Sequence, residues 1–128
     1  MAELNFTPEQ RAAIDTRGST VLVSAAAGSG KTRVLTERLM AYLTDTENPV
    51  DIDRFLVITY TRAAAAELRS RILDGIYARI ASDPENRRLR RQAALCAHAE
   101  IGTIHSFCAD FLRANCAALA LAPDFQVA

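Results

Sequence analysis

The chain has 128 residues, half of them apolar, and its 15 basic residues are balanced by 15 acidic ones. This length allows one domain with a hydrophobic core and is short for a complete nucleotide-driven motor. The zero formal net charge gives no overall case for nucleic-acid binding and leaves only local patches for such contacts.

The sequence lacks the features of a membrane span and of a secretory signal. Its apolar runs stay below the roughly 18 residues that cross a bilayer, and its first residues lack a basic region followed by an apolar core. Cys96, Cys108 and Cys116 have no C-x-x-C spacing, which favours buried or idle reduced thiols over metal ligands or nucleophiles. A cytoplasmic protein is therefore expected.

The N-terminal part predicts a helix and then a strand. Thr7 suits an N-cap, Pro8 the first helical position and Gln10 the capping-box position, so a helix is expected up to about residues 17–18. Residues 19–24 form a short apolar, β-branched run flanked by glycines. That run predicts a first strand buried in a sheet.

The next segment, residues 25–32, has the composition of a phosphate-binding loop between a strand and a helix. Gly28 and Gly30 allow backbone conformations in which successive N–H groups face one anion at the helix N-terminus. Lys31 supplies a charge for the β- and γ-phosphates, and the Thr32 hydroxyl is a ligand for Mg²⁺. The strict pattern begins with glycine, whereas this chain has Ala25 there.

A second interpretation of this segment is a glycine-rich turn with Lys31 solvated at the start of the helix. It fits less well, because a cation in the first turn opposes the helix dipole unless an anion is bound.

The remainder of the chain predicts alternating helices and strands, as in an α/β domain with a mainly parallel sheet. The helices are expected at 31 to about 44, 62 to about 81, 84 to about 97 and 107 to about 119, and the strands at 55–60 and 101–104. The first two of these helices carry apolar stripes at Leu35, Leu39, Tyr42 and Leu43 and at Leu68, Ile72, Ile76 and Ile80. The continuous apolar run at 55–60 predicts a strand covered on both faces.

Three segments end at the carboxyl edge of the predicted sheet, where open α/β sheets bind ligands. Ser24 leads into the phosphate loop there. The other two segments supply hydroxyl, aromatic, imidazole and guanidinium groups, from Thr59, Tyr60, Thr61, Arg62, Thr103, His105 and Ser106. These groups suit a single strand of nucleic acid. Thr61 serves equally well as a helix N-cap, and Tyr60 as an ordinary strand-end aromatic. The arginines of 87–91 suit either phosphates or, preferably, a solvated helix face.

Four segments in order resemble the motifs of a known family. Residues 6–10, 25–32, 58–68 and 102–108 are similar to the Q motif, motif I, motif Ia and the TxH motif of superfamily 1 DNA helicases of the UvrD/Rep type. Residues 89–92 and 123–125 resemble the AddA-type helicase–nuclease subunits of that superfamily more than UvrD or Rep, with RecB as the nearest competitor. The resemblance covers essentially the whole chain.

The resemblance implies a P-loop, RecA-like α/β fold, with residues 1–128 as a partial UvrD-like ATP-binding domain and about 76–100 as a helical insertion. It implies that Gln10 reads the adenine edge, which makes its capping role secondary. The implied ATP site comprises Gln10, Ser24, Ala25, Ala26, Ala27, Gly28, Ser29, Gly30, Lys31, Thr32 and Arg33. Lys31 and Thr32 would be catalytic, with Thr32 on Mg²⁺. Single-stranded DNA would follow Thr59, Tyr60, Thr61, Arg62, Thr103, His105 and Ser106.

For the full-length parent, the resemblance implies ATP-driven 3′-to-5′ translocation on DNA, nuclease (exonuclease) activity in a distant domain, and a role in double-strand break repair and recombination. The implied partners are single-stranded DNA, duplex DNA ends and an AddB-type subunit. After residue 81 no apolar strand ends in an Asp-Glu pair, and a second motor domain is absent. An incomplete first motor domain is therefore expected, one that does not hydrolyse ATP by itself.

The sequence is also compatible with two other functions. One is a non-catalytic nucleotide-binding module that regulates a protein partner, against which the order of the four motifs argues. The other is a small P-loop kinase, although no lid or acceptor-site signature follows the loop.

Overall fold

The structure is a computed structural model that describes residues 5–127. Within that range the chain forms five α-helices and one sheet of two parallel strands. The elements in chain order are α1 (Pro8–Asp15), α2 (Lys31–Leu43), β1 (Leu56–Thr59), α3 (Arg62–Ser82), α4 (Arg87–Leu95), β2 (Glu100–Thr103) and α5 (Ile104–Ala114). Alternation of helices with parallel strands confirms the α/β class, with a smaller sheet than expected.

Helix α1 begins as its sequence predicts. The Thr7 hydroxyl accepts a hydrogen bond from the Gln10 N–H at 3.2 Å, and the Gln10 Oε1 atom accepts one from the Thr7 N–H at 2.9 Å. These two bonds satisfy backbone donors that a helix start would otherwise leave unpaired. The predicted capping box is confirmed.

The core lies between α2, α3, α4 and one face of the sheet. Leu68, Ile72 and Ile76 of α3 are buried and Ile80 is partly buried, so the predicted stripe on this helix is confirmed. In α2 the buried stripe includes the predicted Leu39 and Leu43 but not the predicted Leu35. Its members are Val34, Thr36, Leu39, Met40 and Leu43, while Leu35 is 39% exposed.

The two strands leave one sheet face open. They pair in register from Leu56 opposite Glu100 to Thr59 opposite Thr103. Val57 and Ile101 are buried in the core, whereas Leu56 and Ile58 are about half exposed. The prediction that β1 is covered on both faces is therefore wrong within the described residues, because the helices that pack on the strands bury only alternate side chains.

The expected first strand at 19–24 does not form. Leu22 is 92% and Val23 46% exposed, and only Val21 packs against the small cluster of Ala13, Ile14 and Val34. An isolated extended segment is not a strand, because a strand is defined by hydrogen bonds to a neighbouring strand. Among residues 5–127 the sheet consists of β1 and β2, which pair with each other, so residues 19–24 have no strand to pair with.

Several helix boundaries also differ from the predicted ones. Helix α4 begins at Arg87 rather than at 84, because Asn86 accepts the capping bond from the Leu89 N–H, and it is followed by a 3-10 turn at Cys96–His98. Helix α5 begins at Ile104 rather than at 107, directly after β2, and ends at Ala114 rather than near 119. In the described part of the chain, no helix combines the length and apolar character needed to cross a bilayer.

Candidate nucleotide site and strand-end surface

The backbone of the loop before α2 adopts the left-handed conformation at its two glycines. Gly28 has a φ of 78° and Gly30 a φ of 86°, both in the left-handed region. Gly30 is the N-cap residue of α2, and the Ser29 N–H donates to the Ala26 carbonyl at 3.2 Å to close a turn. Side-chain-bearing residues rarely adopt such angles, which explains why the helix start follows two glycines.

Lys31 lies at the first position of α2 and is the only lysine in the chain. Its Nζ donates a hydrogen bond of 2.8 Å to the Ala25 carbonyl oxygen, so the side chain folds back over the loop. The loop residues from Ala25 to Ser29 are exposed. The lysine charge is therefore held beside an open loop by a neutral acceptor that an anion can replace.

Gln10 joins α1 to this loop. Its Oε1 atom belongs to the capping box, while its Nε2 atom donates to the Ser29 carbonyl oxygen at 3.2 Å. The same Nε2 lies 3.6 Å from where a side-chain carbon on Gly30 would stand. The capping and loop-contacting roles of Gln10 thus coexist, since they use different atoms of one amide.

An aromatic ring that the sequence interpretation did not single out lies close to the same loop. The Arg33 guanidinium lies over the Phe6 ring, 4.6 Å from its centroid, and the Arg11 guanidinium lies 5.2 Å from it. Phe6 and Arg11 occupy the N′ and N4 positions of α1, which form an apolar staple in many helices. That spacing is the signal in the sequence that could have identified the pair.

Thr32, the residue predicted to bind Mg²⁺, directly follows Lys31. Its hydroxyl is exposed on the first turn of α2, which carries no acidic residue. Residues 5–127 contain no cluster of three histidine, cysteine or carboxylate side chains that could hold a metal. Mg²⁺ commonly keeps several waters and binds through substrate phosphates with few protein ligands, so a single hydroxyl is compatible with it.

The ends of β1 and β2 each lead directly into a helix. Thr61 is the N-cap of α3, its hydroxyl accepting from the Ala64 N–H at 3.1 Å. Thr103 is the N-cap of α5, and its backbone N–H donates to the Ser106 hydroxyl at 3.0 Å. Because Thr59 pairs with Thr103 across the parallel strands, both helix starts lie at one edge of the sheet. The N-cap interpretation of Thr61 is confirmed.

The remaining side chains at this edge are available for other contacts. Tyr60 is fully exposed, and Arg62 and His105 are exposed as well. None of these three side chains makes a hydrogen bond or ion pair within the described chain, whereas the Thr59 hydroxyl donates to the Thr61 carbonyl at 3.0 Å. The seven residues predicted to contact DNA are thus brought together, with Thr61, Thr103 and Ser106 occupied in helix caps.

The arginines of 87–91 are only partly a solvated face. Arg88 and Arg91 form ion pairs of 2.9 and 3.1 Å with the Asp51 carboxylate, and the Arg88 Nε also donates to the Leu43 carbonyl. Arg87 and Arg90 are exposed. Two of the four arginines therefore attach α4 to the segment before β1.

Comparison with known proteins gives one family and a consistent group of relatives. Residues 6–128 match the family model described as the UvrD/REP helicase N-terminal domain. The chain is 51% identical over 127 residues to an ATP-dependent helicase/nuclease subunit of Clostridium acetobutylicum, covering 99% of this chain and 10% of that protein. Proteins with the same name from Thermoanaerobacter sp. (strain X514) and Moorella thermoacetica are 53% and 52% identical over 122 residues, or 95% of this chain. The chain thus spans about a tenth of the length of these relatives.

Proposed function

Because the chain belongs to the UvrD/REP helicase N-terminal domain family, we propose that it is the nucleotide-binding part of an ATP-dependent DNA helicase/nuclease, and that residues 25–32 bind the phosphates of ATP. The observation that carries this proposal is the pair of left-handed glycines, Gly28 and Gly30, placed directly before Lys31 at the start of α2. Glycines in that conformation let backbone N–H groups face an anion at the positive end of a helix.

Phosphate binding requires a simple exchange at Lys31. The Nζ now bonded to the Ala25 carbonyl would turn to the β- and γ-phosphate oxygens, replacing a neutral acceptor by a charged one. Thr32 would contribute its hydroxyl to Mg²⁺, which would neutralise phosphate charge when bound. Gln10 would exchange its Nε2 contact with Ser29 for the adenine edge while its Oε1 keeps the helix cap.

The strand-end surface is proposed to hold single-stranded DNA. Tyr60 would stack on a base, and Arg62 and His105 would contact phosphates. Thr59, Thr61, Thr103 and Ser106 would contribute through the helix starts that they cap, where backbone N–H groups favour anions. Support comes from the parallel register of β1 and β2, which brings both segments to one edge.

The activity of the full-length protein is inferred from its relatives, whose shared name describes an ATP-dependent helicase/nuclease. We propose 3′-to-5′ translocation on DNA, action at broken DNA ends in repair and recombination, a partner protein of the AddB type, and a cytoplasmic location. Neither β1 nor β2 ends in an Asp-Glu pair. The 128-residue chain is therefore proposed to bind nucleotide weakly and not to hydrolyse it.

Titration with a fluorescent ATP analogue tests the phosphate site. Lys31→Ala should weaken binding by at least about tenfold, since it removes a charge-assisted bond worth roughly 1.5–3 kcal/mol. Arg71→Ala is the matched control, because it removes another exposed cation, one paired only with Glu67 on α3. Equal affinity of the wild type and Lys31→Ala would refute the proposed site.

Fluorescence anisotropy with a labelled oligothymidylate tests the DNA surface. Tyr60→Ala should weaken binding by about 1 kcal/mol or more, the usual loss for a stacked base, and should leave thermal stability unchanged because the ring is fully exposed. Tyr77→Ala is the control, since this exposed tyrosine lies near the far end of α3, about 22 Å along the helix from its start. Equal losses for both variants would contradict a DNA path at the sheet edge.

A further inference from the structure

Arg69, about two turns into α3, is bonded to the backbone that leads into β2. Its Nη1 donates to the Cys96 carbonyl oxygen, and its Nη2 donates to the carbonyl oxygens of Ala99 and Ile101, each at 3.1 Å. Cys96 begins the 3-10 turn before β2, and Ile101 lies within the strand. One guanidinium therefore links α3 to three points along the entry into β2.

The partners of Arg69 are backbone carbonyls although carboxylates lie nearby. Glu100 and Asp110 line the same cavity as Arg69, which has a volume of about 240 Å³. Arg69 nevertheless takes part in none of the ion pairs among residues 5–127, and Asp110 pairs with Arg113. A planar guanidinium presents its N–H donors at fixed angles, so it can hold several acceptors in one arrangement. The contact therefore orients the backbone rather than neutralising a charge.

The bonded carbonyls lie on the edge of β2 that faces away from β1. The Thr59 hydroxyl of β1 donates to the Gly102 carbonyl oxygen at 3.4 Å, so the backbone groups of Gly102 face β1. Neighbouring residues of a strand direct their N–H and C=O groups to opposite edges. The backbone groups of Ile101 and Thr103 therefore face the outer edge of β2.

This outer edge finds its partners within the chain. The Ile101 N–H donates to the Ala99 carbonyl oxygen at 2.9 Å, and the Ile101 carbonyl oxygen accepts from Arg69. The Thr103 N–H donates to the Ser106 hydroxyl at 3.0 Å. An edge strand normally presents a row of unpaired N–H and C=O groups. Here a side chain of α3 and one of α5 occupy those groups, so both helices are attached to β2.

The position of β2 relative to α3 sets the spacing of the strand-end surface. Tyr60 and Arg62 lie at the start of α3, whereas His105 follows β2 on α5. The strands have four residues each, and a sheet of two short strands is marginally stable by itself. Arg69 adds a link between α3 and β2 that does not depend on strand pairing.

We propose that Arg69 is a positioning residue for single-stranded DNA: it holds β2 against α3 so that His105 contacts the same DNA strand as Tyr60 and Arg62. Arg69 lies about 10 Å along α3 from Arg62 and turns its guanidinium to the chain's own backbone. It acts through His105 rather than by touching DNA. This inference rests on the proposed DNA surface, to which it adds the residue that fixes the distance between its two halves.

The test measures binding of a labelled oligothymidylate by fluorescence anisotropy in two backgrounds, wild type and His105→Ala. Arg69→Met removes the three bonds and should weaken binding by about three- to tenfold in the wild-type background, the range for one lost hydrogen bond. In the His105→Ala background the same change should weaken binding by less than about twofold, because the contact that Arg69 positions is already lost. A general loss of stability would act equally in both backgrounds.

Arg71→Met is the matched control. It removes the same charge from the same helix two residues away, but Arg71 is exposed and pairs only with Glu67. It should change DNA binding by less than about twofold in either background. Binding of a fluorescent ATP analogue should be unchanged in both the Arg69 and the Arg71 variants, because the loop before α2 is not attached to β2.

Arg69→Lys keeps the test decisive if Arg69→Met does not fold. It retains the charge but loses the planar arrangement of donors, so it should weaken DNA binding with the same dependence on His105. Equal weakening in the two backgrounds, or no weakening in either, would overturn the positioning role while the wild-type chain still binds DNA. Failure of the wild-type chain to bind oligothymidylate would overturn the proposed DNA surface and this inference together.

Discussion

At the scale of single residues, three glycines outside regular structure share one backbone state. Gly18, Gly28 and Gly30 all have a φ near 80°, at 71°, 78° and 86°. Only Gly28 and Gly30 belong to the loop before α2, while Gly18 follows α1. A side-chain carbon on Gly18 or Gly28 would meet nothing within 4 Å. Substitutions at Gly18 and Gly28 therefore distinguish the energetic cost of the backbone conformation from any role of the loop in binding nucleotide.

Gly28→Ala and Gly18→Ala should both lower the free energy of unfolding by roughly 1–2 kcal/mol, because the cost is that of a left-handed alanine rather than a clash. Only Gly28→Ala should also weaken binding of a fluorescent ATP analogue, since the strain would reorient the loop N–H groups. Urea unfolding and ligand titration of the same samples measure the two effects. Loss of nucleotide affinity in Gly18→Ala as well would point to general unfolding.

The accessibility of the Lys31 amine can be measured by chemical labelling, because Lys31 is the only lysine in the chain. We expect ATP to slow acylation of its Nζ by an amine-selective reagent, because the nitrogen would be bonded to phosphate oxygens. The chain's own α-amino group serves as the internal control and should react at an unchanged rate. Peptide mass spectrometry quantifies both sites. Equal rates at Lys31 with and without ATP would argue against its contact with phosphate.

At the scale of elements, α4 is attached to the segment before β1 through buried polar groups. The fully buried Gln92 accepts a hydrogen bond from the Ile52 N–H and donates one to the Asp51 carboxylate, both at 2.8 Å. Burial alone would raise the pKa of the Asp51 carboxyl, but the Gln92 hydrogen bond and the charges of Arg91 and Arg88 outweigh it, so its pKa is lowered. Ionised Asp51 therefore stabilises this junction.

Asp51→Asn should lower the free energy of unfolding at pH 7 by about 1 kcal/mol, the scale of an ion pair with partly exposed partners. A lowered folded-state pKa gives stability that is complete above the unfolded pKa of about 3.9 and is lost as pH falls through the folded value. The difference between variant and wild type should therefore shrink below about pH 4. Urea unfolding across pH 2–7 checks this, with Asp110→Asn, whose pair with Arg113 is exposed, as the control. A difference that persists unchanged at pH 2 would contradict the ionic explanation.

At the scale of the whole molecule, the three thiols report on three environments. Cys96 is fully buried in the main core, Cys108 is exposed and Cys116 is partly buried. Burial raises the pKa of the Cys96 thiol, and the nearby Arg69 charge opposes this only partly. The sequence predicts thiols that are either buried or idle, and among the three only Cys96 is buried. Cys96 lies where α3, α4 and the sheet enclose it.

A thiol-reactive disulfide reagent at pH 8 should therefore modify Cys108 at once and Cys96 only when the core opens. The Cys96 rate should rise with urea in parallel with global unfolding, since a buried thiol in a raised-pKa environment lacks both access and thiolate. Cys108→Ser should remove the fast phase alone. Fast reaction of Cys96 in native buffer would show that the core is open without denaturant.

Much of the fold follows from local signals in the sequence. Helix α1 and its capping box, and the buried stripe of α3, are confirmed because Thr7, Pro8 and a four-residue apolar repeat act over one or two helical turns. The start of α5 differs from the prediction because residues 101–104 are predicted to be a strand, whereas the cap formed by Thr103 and Ser106 begins the helix at Ile104. The placement of loop residues on a nucleotide stays a prediction, as does the DNA path.

What the sequence determined by itself is the order of the helices, the starts of α1, α2 and α3, and the family, all of which depend on neighbouring residues or on motif order. Tertiary structure alone decided that residues 19–24 stay unpaired and exposed, since strand formation needs hydrogen bonds from a distant segment. It also decided that Phe6 meets Arg33 and that Gln10 meets Ser29. These contacts join residues 27 and 19 positions apart, so they exist only once α1 packs on α2, where burial of Ile14 and Val34 fixes the two helices together.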